Sequence, residues 1–302
     1  MRRFTTISEF HAFAQLPKPQ HPLLSVVDVS TVPHRDGAEP MSMVFDFYSI
    51  SIKRMHNVHV QYGQHSFDFN EGIMSFMAPG QVFSMAVADP AQAVEKSGWV
   101  VYVHPDFLWN TPLAKTIKQY DFWDYSLKEG LFLSAKEEAA ILSLVFAIER
   151  EYTSTIDRFS KRIIVSQLES LLHYADRFYD RQFLTREKAN HEVLERLETL
   201  LHAYFDSPDL LERGLPTVQY VAERLRVSPK YLSNLLRVLT GQNTQQHIHA
   251  QLIAKAKEQL STTSLTVSEI AYGLGFEHLQ SFSKLFKTKT SLSPLAFRAS
   301  FN

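Results

Sequence analysis

Two sets of polar side chains toward the end of the sequence have the types and spacing needed to read a nucleic acid. The first is Ser228, Lys230, Ser233, Asn234 and Arg237. The second is His278, Gln280, Ser281, Lys284 and Lys287. Each set is what remains of a helix once its apolar residues face inward. Asn and Gln amides can pair with adenine, Arg and Lys with guanine, and Ser with several bases. Lys and Arg at helix ends suit phosphates, which position a protein without specifying a sequence. For any single residue an exposed, non-contacting role stays open; the sets together point to DNA.

The elements that must position these side chains form an internal repeat. "TVQYVAERLRVSPKYLSNLLRVLTG" (217–241) aligns with "TVSEIAYGLGFEHLQSFSKLFKTKTS" (266–291). Each copy predicts a short helix, an abrupt turn and a longer helix. Two helices crossing steeply need a small side chain at the crossing, which Ala222 and Ala271 supply. Val227 and Phe276 plug the corner. Leu232, Leu235 and Leu236 form the underside of one second helix; Phe282, Leu285 and Phe286 form that of the other. This is the plan of a helix-turn-helix, whose second helix can enter the major groove. Two such helices on a rigid connector can lie in successive major grooves, about 34 Å apart. An ordinary pair of αα-hairpins is the alternative, weakened by the recurrence of Ala at both crossings. Ser228-Pro229 reads as a helix start, and free N–H groups there can take phosphate. Between the copies, "TQQHIHAQLIAKAKEQLSTT" predicts a connector helix striped by Ile248, Leu252, Ile253, Ala256 and Leu260.

"EIAYGLGFEHLQSFSKLF" (269–286) sets two glycines inside this pattern, although Gly costs about 1 kcal/mol against Ala in a helix interior. Gly275 fits a left-handed cap at the end of the first helix. The first copy has Arg224 and Arg226 opposite Gly273 and Gly275, so glycine is obligatory at neither position.

Charge supports a polyanionic partner. From Leu215 onward there are ten basic residues and four acidic ones, a net +6. That leaves −7 for the rest of a chain whose net charge is −1. A basic segment on an acidic body suits DNA, although a solvated charged surface would look the same.

The 302 residues suggest two domains. There is no cysteine, hence no disulfide or thiolate metal site, which suits a reducing cytoplasm. "MRRFTTISEFHAF" lacks the apolar core of a signal peptide. No window approaches 18 uninterrupted apolar residues, so no membrane span is expected. Up to about residue 130 the pattern is strand-rich: "HPLLSVVDVS", "SMVFDFYSISIKR", "HVQYGQHSFDFNEG", "IMSFMAPGQVFSMAVA" and "GWVVYVHP". Such a run suggests a small β-barrel or sandwich, with "MAPGQ" (77–81) as a tight turn. Ser134 with Glu137 forms a capping box. Helical periodicity follows at Ile141, Leu144, Val145 and Ile148, and again at Ile163, Ile164, Leu168, Leu171 and Leu172. These two helices could form a dimer seam or pack on the β-domain. A third helix covers about 188–205, with Val193, Leu194, Leu197, Leu200 and Leu201 apolar, and "DSPDLLERGLP" reads as a linker.

Other chemistry finds little support. His56 and His59 are three apart, hence on opposite faces of a strand, and Glu71 follows His65 at the wrong distance for a metal-binding barrel. His247 and His249 read as surface residues. There is no Gly-rich phosphate loop, no Gly-x-Ser-x-Gly elbow and no Cys nucleophile. No enzyme, no cofactor and no metal are therefore expected. Phe45, Phe47, Tyr48, Phe67, Phe69 and Phe76 either line a small-molecule pocket or form plain core.

The second copy, "SEIAYGLGFEHLQSFSKLFKTKTSLSPLAFR", closely resembles the signature of the AraC/XylS family of bacterial transcription regulators. "AKEQL" (256–260) resembles that family's connector helix. More weakly, by order and spacing, the first 180 residues resemble its cupin-like effector domain and dimerisation helices, with "MAPGQVFSM" similar to a turn common in those barrels. Three positions depart from the family pattern: Ser291 replaces a usual Gly, Leu252 a frequent Arg, and Leu236 a common Phe. The resemblance implies an α+β protein of two domains. Residues 1–133 would be a cupin-like regulatory domain, 134–185 a helical dimerisation segment, 186–214 a helix and linker, and 215–302 the DNA-binding domain. It implies a cytoplasmic homodimer that binds double-stranded DNA under control of a small-molecule effector, with RNA polymerase as a further partner. The alternative is a regulator or interaction scaffold controlled by a protein partner, whose barrel binds no small ligand.

Overall fold

The computed structural model describes residues 1–32, 41–55, 60–62, 65–67, 72–85, 96–126, 129–155, 157–185, 187–207 and 210–301. The chain divides into two compact units, Met1–Gln182 and Phe183–Asn302.

The first unit begins with β1 (Arg2–Phe4), α1 (Ile7–Phe13), β2 (Leu24–Asp28), β3 (Met41–Phe45) and β4 (Tyr48–Met55). It continues with β5 (Val60–Tyr62), β6 (His65–Phe67), β7 (Ile73–Met77), β8 (Val82–Met85) and β9 (Lys96–Val103). A short helix α2 (Leu113–Thr116), strand β10 (Leu131–Phe132) and helices α3 (Ala135–Thr153) and α4 (Ser160–Thr185) complete it, α4 running on into the second unit. The strands make a five-stranded sheet in the order β10-β7-β4-β9-β2, a three-stranded sheet β1-β3-β8 and a two-stranded pair β5-β6.

Among the described residues no sheet closes on itself, so the expected barrel is not seen. The five-stranded sheet ends in two edges, β10 and β2, and α3 packs on β2. The two larger sheets instead share one apolar cluster, with Phe4, Val27, Met43, Phe45, Phe47, Val100 and Tyr102 among its members. That is the packing of a sandwich. "SMVFDFYSISIKR" is two strands, β3 and β4, separated at Asp46-Phe47. The turn at "MAPGQ" stands between β7 and β8, with Gly80 at φ +86°. Phe45 stacks on Phe47 at 5.0 Å, and Tyr48 and Phe76 pack around Trp123. These four aromatic side chains are packed core. His56, His59, Phe69 and Glu71 lie outside the described residues. Among the described residues no group of His, Asp and Glu could hold a metal ion. No helix of the described residues is long and apolar enough to cross a membrane.

The Ser134–Glu137 capping box is present. Arg181 on α4 extends it by forming an ion pair with Glu137 at 2.8 Å and donating to the Phe132 carbonyl. Ile141, Val145 and Ile148 on α3, and Ile164, Leu168, Leu171 and Leu172 on α4, are buried within the chain itself. They are therefore occupied and not free to form a seam. Ile163, expected on the same face, is exposed together with Phe159 and Tyr174.

The second unit is helical: α5 (Glu187–Phe205), α6 (Leu210–Arg213), α7 (Val218–Leu225), α8 (Pro229–Thr240), α9 (Thr244–Thr262), α10 (Val267–Gly273), α11 (Leu279–Thr290) and α12 (Pro294–Ala299). One core runs through all of it. Leu197, Leu201, Tyr204 and Phe205 from α5 join Val221, Ala222, Leu252, Ala256, Ala271 and Phe286. The stretch expected as a linker contains α6, and its Leu210 enters that core at 2% exposure.

Candidate nucleic-acid interface

The two helix pairs α7–α8 and α10–α11 are built alike. Thr217 caps α7 by accepting from the Tyr220 amide, and Thr266 with Glu269 forms a capping box on α10. The hydrogen bonds to Thr266 hold the Glu269 carboxyl below the usual carboxylate range. Each first helix ends at a left-handed residue, Arg226 at φ +61° and Gly275 at φ +83°. The next amide then turns back to the crossing alanine: Val227 N–H donates to Ala222 O at 3.0 Å, and Phe276 N–H to Ala271 O at 3.1 Å. That bond is the long closing bond of a Schellman-type cap. Ala222 and Ala271 are fully buried, as two helices in close crossing require.

Of the two glycines in the second pair, only Gly275 is demanded by geometry. A Cβ on it would stand 3.1 Å from both Cα and C of Gly214 and 3.3 Å from the Leu210 carbonyl oxygen. A Cβ on Gly273 would meet nothing within 4 Å, so nothing in the structure requires glycine there.

Both second helices end alike as well. Gly241 after α8 and Ser291 after α11 adopt the same left-handed conformation, φ +73° and +65°. Thr240 and Thr290 bond back to Leu236 O and Phe286 O, each at 2.8 Å. The turn at Ser291 is therefore not rearranged; a non-glycine residue simply occupies a strained conformation. Asn243 and Ser293 then cap α9 and α12. Leu252 is wholly buried in the core.

The candidate side chains divide in two. His278, Gln280, Ser281, Lys284 and Lys287 are all exposed on α11, and His278 stands at the N-cap without a capping hydrogen bond of its own. On α8, Lys230 and Arg237 are exposed. Ser228 is engaged as the N-cap, accepting from Tyr231 N–H at 3.3 Å. The Ser233 hydroxyl lies 3.0 Å from that of Thr244, a fully buried residue, so it faces α9 and not outward. The Asn234 carbonyl oxygen accepts from Arg237 at 3.3 Å. Residues outside the two candidate sets are also exposed here: Arg224 and Arg226 at the first turn and Lys289 at the end of α11. A search for surface cations near the turns would have found them.

His247 and His249 are half-buried at the surface of α9. His247 bonds Thr240 at 2.8 Å and His249 bonds Gln245 at 2.9 Å. Burial holds the pKa of both below the ordinary histidine value; Lys289 adds to the effect on His249, while Glu198 opposes it on His247. Lys255 is committed to Asp206 at 2.8 Å and Glu258 at 3.1 Å, which raise its pKa and reduce its availability to a phosphate.

Sequence comparison finds a helix-turn-helix in the same region. Residues 221–300 match the family model described as a helix-turn-helix domain. The arabinose operon regulatory protein of Escherichia coli is 37% identical over 79 residues, covering 26% of this chain and 27% of that one. An uncharacterised helix-turn-helix-type transcriptional regulator of Bacillus subtilis, YfiF, is 26% identical over 187 residues, covering 62% of this chain and 56% of that one. The chain thus spans about half or less of the length of these relatives. Among solved structures, the C-terminal domain of AraT, a response regulator from Geobacillus stearothermophilus, is 30% identical, with a TM-score of 0.32 over 36% of this chain and 84% of that one.

Proposed function

We propose that this protein is an AraC-type, sequence-specific DNA-binding transcriptional regulator that uses α8 and α11 in successive major grooves; the helix-turn-helix match over residues 221–300 and the likeness to the arabinose operon regulatory protein support this reading. The observation that carries this reading is the duplicated pair. Two second helices follow the same left-handed turn, with the same amide-to-alanine bond, and each presents exposed basic side chains. Arg237 and Lys287, at equivalent places near the helix ends, suit phosphates; Gln280 and Lys284 suit base edges.

The first unit is proposed as the control module of a cytoplasmic regulator, a cupin-like effector domain taking a small molecule. Its separation as a compact unit supports this. The helical segment 134–185 is proposed to mediate homodimerisation. Support for that comes from the apolar side chains α4 leaves exposed, Ile163 and Tyr174, with Phe159 just before it.

The test is genome-wide footprinting with the full chain, followed by gel shift on a recovered site. Lys284→Ala and Arg237→Ala should each weaken binding while leaving far-UV circular dichroism unchanged. Affinity should also fall steeply with salt, as counterion release requires. Unchanged affinity in both variants would sink the assignment.

A further inference from the structure

The two helix pairs share a backbone plan but do not present the same face. Helices α8 and α11 are each twelve residues long and begin at 229 and 279, so their positions correspond one to one. Ser281 corresponds to Tyr231. Ser281 is exposed, whereas Tyr231 is buried, its ring at 5.1 Å and 68° to that of Phe183. An aromatic anchor thus closes the α8 face where the α11 face offers a hydroxyl. Two residues further on, the Ser233 hydroxyl is spent on Thr244. Asn234 corresponds to Lys284, and its carbonyl oxygen is held by Arg237. A bidentate amide–adenine pair needs both ends of that amide.

The α7–α8 pair leaves four cations exposed, Arg224, Arg226, Lys230 and Arg237, beside Gln219, Glu223 and Thr240. Arg226 projects from the left-handed turn itself. By contrast, α11 leaves His278, Gln280 and Ser281 exposed beside Lys284 and Lys287. Guanidinium and ammonium groups can clamp phosphates or pair with guanine, whereas the Gln280 amide, exposed near the start of α11, can read a base edge with both its ends.

We propose that discrimination between DNA sequences is concentrated in the groove occupied by α11, and that the α7–α8 pair serves as a phosphate clamp that sets register and affinity. This rests on the DNA-binding reading above. Lys284 and Gln280 are then the specificity-determining residues, and Arg237 with Arg226 the clamp.

The protein has no cysteine, which makes the assignment of grooves direct. Single substitutions Gln242→Cys and Leu292→Cys, at exposed positions just past α8 and α11, carry a tethered iron chelate that cleaves the DNA nearby. With the full chain on a footprinted site, each cleavage pattern marks one groove. Base pairs in both grooves are then replaced one at a time and binding is measured at fixed salt. The expected result is a loss of about 10-fold or more at two or more positions under α11 and less than about 3-fold at each position under α8. Gln280→Ala and Lys284→Ala should flatten the preference under α11. Arg237→Ala should weaken all sequences alike and lower the salt slope by about one. The proposal is overturned if positions under α8 cost as much as those under α11. It is also overturned if Asn234→Ala relaxes discrimination about 10-fold. No protection of any site would overturn the DNA-binding reading itself, an outcome distinct from equal costs in the two grooves.

Discussion

Adding one methyl group at Gly275 tests how the second turn is held. Gly275→Ala and Gly241→Ala place the same group at the same kind of left-handed cap, φ +83° and +73°. Around Gly241 a Cβ meets nothing within 4 Å, so that variant reports the left-handed penalty alone, about 1 kcal/mol. Around Gly275 the Cβ stands 3.1 Å from the Gly214 backbone. That backbone cannot easily retreat. Gly214 N–H donates to Leu210 O at 2.9 Å, and the Tyr204 hydroxyl donates to Gly214 O at 2.9 Å. Overpacking against a held neighbour adds about 1–3 kcal/mol. Gly275→Ala should therefore cost about 3 kcal/mol in all, about 2 more than Gly241→Ala. Urea denaturation followed by far-UV circular dichroism gives both values. All three tryptophans, Trp99, Trp109 and Trp123, lie in the first unit, so their fluorescence serves as an internal control and should not move. Adding Tyr204→Phe frees the Gly214 carbonyl and should shrink the excess. Equal costs for the two glycine variants, within about 0.5 kcal/mol, would refute the contact with Gly214 as the reason for glycine at 275.

Three further outcomes are expected. Ser291→Gly relieves a left-handed serine and should stabilise the second unit by about 1 kcal/mol, read as a higher urea midpoint with DNA affinity unchanged. Ala271→Glu places a charge at a fully buried helix crossing and should abolish both the cooperative transition of the second unit and DNA binding; unchanged melting would contradict it. His11 is buried between Pro17 O at 2.6 Å and the Ser25 hydroxyl at 2.9 Å, and burial holds its pKa below 6.5. Its neutral form is thus the one the fold favours. Its contribution to stability is complete above pH 6.5 and declines as pH falls from there through the folded value. Melting followed by tryptophan fluorescence should show this decline, and His11→Gln should flatten it.

The part of the fold that was legible in the sequence is the part built from near neighbours. Helix caps, turn closures and apolar stripes join residues a few positions apart. Ser228, Ala222, Ala271 and Phe276 could therefore be assigned roles from spacing alone, and each holds the place expected of it. The exposed row on α11 follows from the same periodicity, because its apolar residues take the other side. What covers a surface depends on which distant segment arrives there, and periodicity is silent on that. Ser233 stood in the outward set until Thr244 met it, and nothing in the spacing foretold that Tyr231 would pack on Phe183. The strand-rich half illustrates the same limit. Alternation marks strands but not their partners, so two open sheets around a shared core could not be told from a barrel. At Gly275 the two kinds of information meet. The left-handed cap was readable from local pattern, whereas the need for glycine there comes from Gly214, brought against the turn by the packing of α6.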